Sequence, residues 1–212
     1  MIELYGILII KRIKNKENHK HVILSGKIFI PWYAIAANKT IKKIASEFGK
    51  IVAARVTLGV TNIYTHIDKK HKKYKIIITT RHNGLIGILV TDEDYSKRIS
   101  CTIVEDILDK FEDKYNVKKY DRIKNMKDYC VSQFNKECRD ILEANKDPSK
   151  TDNICIAQKE VKDIGKIMEQ NIDKLLNRGE KLEDILDKAM ELDNNAHDFY
   201  AAAKKLRCCK IL

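Results

Sequence analysis

Proline and glycine are scarce, two and eight in 212 residues, which argues against a disordered linker-like or fibrous chain. No run approaches the roughly 20 apolar residues that a membrane-spanning helix needs. The apolar start MIELYGILII is short, is followed by Lys11 and Arg12, and has neither a charged leader nor a cleavage site. It reads as a strand rather than a signal peptide. None of the six cysteines forms a Cys-x-x-Cys pair, and no cysteine or histidine spacing resembles a zinc site, so no metal is expected. Cys101, Cys130, Cys138 and Cys155 read as small buried hydrophobes in a reducing compartment. No glycine begins a G-x-x-x-x-G-K-[ST] run, which excludes a P-loop GTPase. His19, His21, His66, His71, His82 and His197 lack acid or nucleophile partners at recognisable spacing, so no catalysis is expected.

Charge is plentiful and lopsided. A formal net charge of +11 points to an anionic membrane face or nucleic acid, or reflects a lysine-rich composition spread along the whole chain. A nucleic-acid-binding coiled coil would need a basic region before its heptads. Residues 147–163 carry mixed charge instead, so no nucleic-acid partner is expected.

Residues 1–144 alternate between strand and helix patterns. Ile2–Ile13, His21–Ile30, Val60–Ile67, Tyr74–Thr80 and Leu85–Thr91 carry strand patterns. The Asn83-Gly84 pair predicts a hairpin between the last two. A first helix is expected at 41–55 with Thr40 as N-cap, its apolar face running through Ile41, Ile44, Phe48, Ile51 and Val52. A second runs to about Tyr115, with its stripe on Ile99, Ile103, Val104, Ile107, Leu108 and Phe111. A third is expected over about 122–143, with Met126, Cys130, Phe134, Cys138, Ile141 and Leu142 facing inward. The order ββαβββαα predicts an α+β domain, a five-stranded antiparallel sheet with helices on its faces. Residues 145–151, containing Asp147-Pro148, read as a linker.

Residues 152–206 contain no proline and no strand pattern. Alternating steps of three and four residues trace Ile154, Ala157, Val161, Ile164, Met168, Asn171, Leu175, Arg178, Leu182, Ile185, Ala189, Leu192, Ala196, Phe199, Ala203 and Leu206. Fourteen of these sixteen are apolar, where 44% composition would give about seven, so the seam is real. It is a coiled-coil seam held over seven heptads, and one helix cannot bury it alone. Arg178 sits at its centre, where a charge is costly unless partners satisfy it and serves best to fix register. The small layers Ala189, Ala196 and Ala203 suit a tight multi-helix bundle.

Leu175-Leu176-Asn177-Arg178-Gly179-Glu180-Lys181-Leu182 resembles the centre of an R-SNARE motif. The resemblance implies that Arg178 forms the central layer with glutamines from three Q-SNARE helices, the other seam residues being hydrophobic layers, and that zippering drives membrane fusion. Asn171 departs from the usual apolar layer.

The last residues, Arg207-Cys208-Cys209-Lys210-Ile211-Leu212, match a Cys-a-a-X prenylation signal at Cys209, with a palmitoylation site at Cys208. Leu212 favours geranylgeranyl, while Lys210 is not aliphatic. A single lipid often anchors only marginally, so two are expected, helped by Lys204, Lys205, Arg207 and Lys210 against an anionic leaflet. No cofactor other than these covalent groups is expected. Together with Asn83–Asp92 and Tyr95-Ser96-Lys97-Arg98, these features resemble the prenylated longin-domain R-SNAREs of the ER–Golgi–vacuole pathways. That family implies a profilin-like longin domain and residence in the cytoplasm and on cytoplasmic faces of Golgi, ER, endosomal or vacuolar membranes. It also implies a closed form in which the longin domain shields the SNARE helix, with Ile44, Phe48 and Ile51 as groove candidates or as ordinary sheet-facing core. The alternative function is a lipid-anchored longin-fold adaptor or tether without fusion activity, which would not need Arg178.

Overall fold

The computed structural model describes residues 4–13, 19–29, 38–67, 71–123, 126–146, 167–176 and 184. Two long strands open the chain, β1 (Leu4–Ile13) and β2 (Lys20–Ile28), followed by helix α1 (Asn38–Arg55). Strands β3 (Thr61–Ile67), β4 (Lys73–Thr80) and β5 (Leu85–Asp92) come next, then helix α2 (Lys97–Lys114). A 3-10 turn at Val117–Arg122 and another at Ser132–Phe134 precede helix α3 (Asn135–Ala144). A short strand, β6 (Met168–Asn171), and a 3-10 turn at Ile172–Leu175 complete the described elements. The sheet order is β2-β1-β5-β4-β3-β6. Pairings among the first five strands are antiparallel, and β6 lies parallel to β3.

The strands β1, β4 and β5 are apolar on both sides because both faces of the sheet are covered. One face holds Ile7, Ile9, Ile77 and Leu89 against Ile103, Val104, Ile107, Leu108 and Phe111 of α2, with Phe134, Cys138 and Leu142 from the α3 region. Phe111 packs at 5.0 Å between ring centres against Phe134 and at 4.9 Å against Tyr115. The other face holds Leu8, Ile10, Tyr64, Ile76, Ile78, Ile86 and Ile88 against Phe48, Val52, Ala53 and Val56. Helix α1 lies over β1 and β2, so it leaves the β4–β3 half of that face for something else.

Polar clamps fix the layers. The Arg12 guanidinium donates to the carbonyls of Ala53 and Val56, the latter at 2.7 Å, holding the end of α1 against β1. Arg81, at the β4–β5 turn, faces Glu105, Asp109 and Glu112, one charged stripe of α2, at 3.0, 2.5 and 3.7 Å. In that turn Gly84 has φ +82°, and a Cβ there would come within 2.8 Å of the Arg12 carbonyl, which is why the Asn-Gly signal carries glycine.

Three expectations need correction. The sheet has six strands, because a segment of the seam region joins it. Helix α1 starts two residues before the expected N-cap, so Thr40 lies inside its first turn. The third helix runs over Asn135–Ala144 only. Upstream of it the chain is stitched to the edge of β2 instead: the N–H groups of Tyr129 and Val131 donate to the carbonyls of Ile23 and Leu24 at 2.6 and 2.9 Å, and Asp128 accepts from the Ile23 N–H. A free strand edge outbids a helical turn for these amides. Cys130 is therefore exposed rather than inward-facing, while Cys101 and Cys138 are buried. Burial pushes their thiols up, to about 11 and about 12, which keeps both unreactive. Cys155 lies outside the described residues.

Phe111→Ala should cost about 3–5 kcal/mol in urea unfolding, because it empties the ring cluster under α2. A second expectation concerns pH. Burial, then Arg12, then His19 hold the His21 pKa down to about 4 from 6.5. The unfolded chain therefore takes up this proton first, and the stability tied to it is complete above pH 6.5 and lost as pH falls toward 4. In His21→Gln, the urea midpoint should change less between pH 7 and 4.5 than in the parent.

Candidate functional site

The seam region meets the domain at the outer edge of β3. Without β6, the backbone groups of Asn62–Thr65 on that side would be an open strand edge. Residues Met168–Asn171 add in parallel register, Asn62 opposite Met168, Ile63 opposite Glu169, Tyr64 opposite Gln170 and Thr65 opposite Asn171. Two side-chain interactions reinforce the pairing. On one side Glu169 ion-pairs with Lys97 at the start of α2. On the other, the chain turns at Ile172–Leu175 and sets Ile172 (fully buried) and Leu176 (nearly so) into the cluster of Tyr64, Ile76, Phe48 and Val52, with Leu175 half-buried beside them. These anchors fill the half of the face that α1 leaves bare.

The turn itself is capped locally. The side chain of Asn171 accepts from the Asp173 N–H at 2.9 Å, and the Leu176 N–H donates back to the Asp173 carbonyl at 3.1 Å. Strand addition, two apolar anchors and one capped turn thus hold 167–176 on the domain, a mode in which main-chain hydrogen bonds give affinity and pockets give specificity.

A synaptobrevin family model matches residues 153–211, and the longin model, described as a regulated-SNARE-like domain, matches residues 33–138. The chain belongs to the longin-domain family of R-SNAREs. It is 26% identical to the synaptobrevin homolog YKT6 of Eremothecium gossypii over all of both chains. It is 27% identical to the synaptobrevin homolog ykt6 of Schizosaccharomyces pombe, over 85% of this chain and 86% of that one. The VAMP-like protein YKT61 of Arabidopsis thaliana is 26% identical over 90% of this chain and 91% of its own. The longin match covers α1, β3, β4, β5, α2 and the start of α3, on a sheet that β1 and β2 complete, and 167–176 lies within the synaptobrevin match on the edge of that sheet.

Against the residues expected from sequence, the placement is selective. Of the seam, Met168 and Asn171 lie in β6 and Leu175 in the following turn. Here the helix expected over 152–206 is replaced by a strand and a 3-10 turn. A lone amphipathic helix has no partner for its stripe, whereas β3 offers both hydrogen bonds and an apolar face. Ile154, Ala157, Val161, Ile164, Arg178, Leu182, Ile185, Ala189, Leu192, Ala196, Phe199, Ala203 and Leu206, with Cys208 and Cys209, lie outside the described residues. Among the groove candidates, Phe48 is buried and Ile51 half-buried in the cluster that also receives Ile172 and Leu176. Ile44 lies in α1, its side chain outside the described residues. Among the described residues no helix is long and apolar enough to cross a membrane.

The two strongest anchors, Ile172 and Leu176, were not singled out by the seam. They are off-seam apolar residues four apart, amid mostly polar and charged neighbours. That pair was the available sign that this stretch has a second face to bury.

Ile172→Asp should free the segment without unfolding the domain. Hydrogen exchange at residues 61–65 and 167–176 should accelerate by tenfold or more, while exchange in α2 stays as in the parent. Equal acceleration in α2 would mean that the segment is part of the global core rather than a detachable strand.

Proposed function

We propose that this chain is a lipid-anchored R-SNARE of vesicle transport that is switched off when its own longin domain holds the SNARE segment. In the active form, residues 152–206 become one helix that joins three Q-SNARE helices. Arg178 then sits in the central layer opposite three glutamines, and zippering toward Leu206 draws two cytosol-facing membranes together. The observation that carries this reading is the conflict within 168–175. The heptad register requires Met168, Asn171 and Leu175 on one helical stripe, yet the segment lies on β3 as a strand and a 3-10 turn. One stretch cannot be both, so domain and partner helices compete for it.

The anchor in this reading is prenyl at Cys209, made firm by reversible acylation at Cys208. Arg207 and the nearby lysines add electrostatic attraction to an anionic leaflet, about 1 kcal/mol for each charge near the surface. The resulting location is the cytoplasm and the cytoplasmic faces of Golgi, ER, endosomal or vacuolar membranes.

The test is assembly of the full chain with Q-SNARE helices, followed by circular dichroism. A rise in helicity and a heat-stable complex are expected, formed several-fold faster by Ile172→Asp than by the parent. Arg178→Leu should lower the selectivity for glutamine-bearing partners. Absence of any helical complex with the Ile172→Asp chain would overturn the reading. Separately, Cys209→Ser should move the protein from membranes to the soluble fraction on centrifugation of its native cells.

A further inference from the structure

At the opposite edge of the sheet from β6, a partly open cavity of about 350 Å³ lies between the end of β2, α1, the stitched segment at 128–131 and the start of α3. Lys27, Lys42, Lys136 and Arg139 line it, together with Tyr129 and Asn135. Among the described residues, four cations from three elements share this small concavity, and none that line it is acidic.

The neighbouring carboxylates offset the charge of the cavity only in part. Asp128 is drawn to Lys50 at 2.5 Å and accepts from the Ile23 N–H. Glu137 is taken by Lys114 on α2. Asp140 pairs with Arg139 at the surface, at 3.6 Å. Among the described residues, Lys27 and Lys136 have no ion-pair partner. Crowded like charges are held together by the fold and cost energy until an anion enters.

The remaining walls are prepared for such a ligand. Tyr129 takes a left-handed backbone, φ +59°, which turns its ring to the cavity, where the Lys42 ammonium lies 3.9 Å from the ring centre. Its hydroxyl is fixed on Ser46 at 2.9 Å. Asn135 accepts from the Ser25 hydroxyl at 2.7 Å and from the Gly26 N–H at 3.1 Å, which orients the side chain and leaves its amide as a donor. Arg139 supplies a planar fork suited to phosphate oxygens, and the lysines supply point charges.

We propose that this cavity binds a small ring bearing two or more phosphates, of the inositol phosphate type. Charge sets the number of phosphates. A phosphate monoester carries about −1.5 to −2 at neutral pH, so two match the four cations and one does not. Size sets the ring, since the volume lies at the small end of ligand pockets and excludes an acyl chain. The ligand can come as a soluble molecule or as the headgroup of a phosphorylated inositol lipid. The cavity lies across the whole width of the sheet from β6, so it does not overlap the site that holds residues 167–176.

The experiment is calorimetric titration of the full chain with inositol 1,4,5-trisphosphate at physiological salt, compared with Lys136→Glu/Arg139→Glu. Both substituted side chains are exposed, so the fold should be kept, and unchanged thermal unfolding would check it. Saturable one-to-one binding, weakened at least tenfold in the double variant, is expected. Lys118→Glu/Lys119→Glu changes net charge equally, away from the cavity, and should weaken binding less than threefold. Absence of saturable binding, or equal loss in both double variants, would overturn the proposal. In a second arm, phosphatidylcholine vesicles carrying phosphatidylinositol 4,5-bisphosphate are compared with vesicles of equal charge carrying phosphatidylserine. Preference for the former, lost in Lys136→Glu/Arg139→Glu, identifies the lipid as the source, and equal binding identifies the soluble phosphate. Neither result depends on assembly with Q-SNARE helices, so this site and the fusion reading fail separately.

Discussion

Everything distinctive in this protein depends on a sheet with two edges that must not stay open. The β2 edge is closed from within the longin domain, by the N–H groups of Tyr129 and Val131 and the carboxylate of Asp128. The β3 edge is closed by a loan from the SNARE segment. The first closure is internal to the domain, and residues 128–131 carry no seam that a partner bundle could bury. The second is conditional because 168–176 carries a seam that a helical bundle could also bury. The energies on the β3 edge are balanced enough for that condition to matter. Anchoring Ile172, Leu175 and Leu176 and making about four ladder hydrogen bonds gives on the order of 10 kcal/mol. Ordering the ten residues 167–176 costs on the order of 10 kcal/mol or more, so closure has little surplus.

Much of the longin domain could be read directly. Strand and helix periods differ, and here they rarely conflict. Ile99, Ile103, Val104, Ile107, Leu108 and Phe111 repeat at helical spacing and are buried together under one face of the sheet. Asn83-Gly84 marks the β4–β5 turn because only a residue tolerant of positive φ fits beneath the Arg12 carbonyl. The third helix was overextended for the opposite reason. Met126, Cys130 and Phe134 satisfy a helical pattern, but pattern records only which side chains want burial. It does not record that the amides of Tyr129 and Val131 can reach an unpaired strand.

The same limit hid β6. Local sequence across 164–178 favours a helix, with apolar residues at coiled-coil spacing and neither proline nor β-strand alternation. Its strand pairing is a purchase from tertiary context: β3 contributes the partner backbone, and Tyr64 and Ile76 contribute the receiving surface. Sequence periodicity describes the helical state proposed for this segment in a bundle. The off-seam pair Ile172 and Leu176 belongs to the docked one. An apolar residue outside the seam of a bundle-forming helix is therefore informative, because it has no use within the bundle and needs another surface.

Asn171 extends that logic to a polar residue. On the seam it replaces an apolar layer, which costs packing in any bundle that forms there. On the longin domain it ends β6, remains exposed, and caps the 3-10 turn by accepting from Asp173. A residue that weakens one state while ordering a turn in the other shifts the balance twice in the same direction. With closure holding little surplus, about 1 kcal/mol from one capping hydrogen bond and a comparable loss from one bundle layer change the populations by more than tenfold. The departure at Asn171 thus has a physical reason in the docked segment, and it acts on the same few residues as the strand loan at β3.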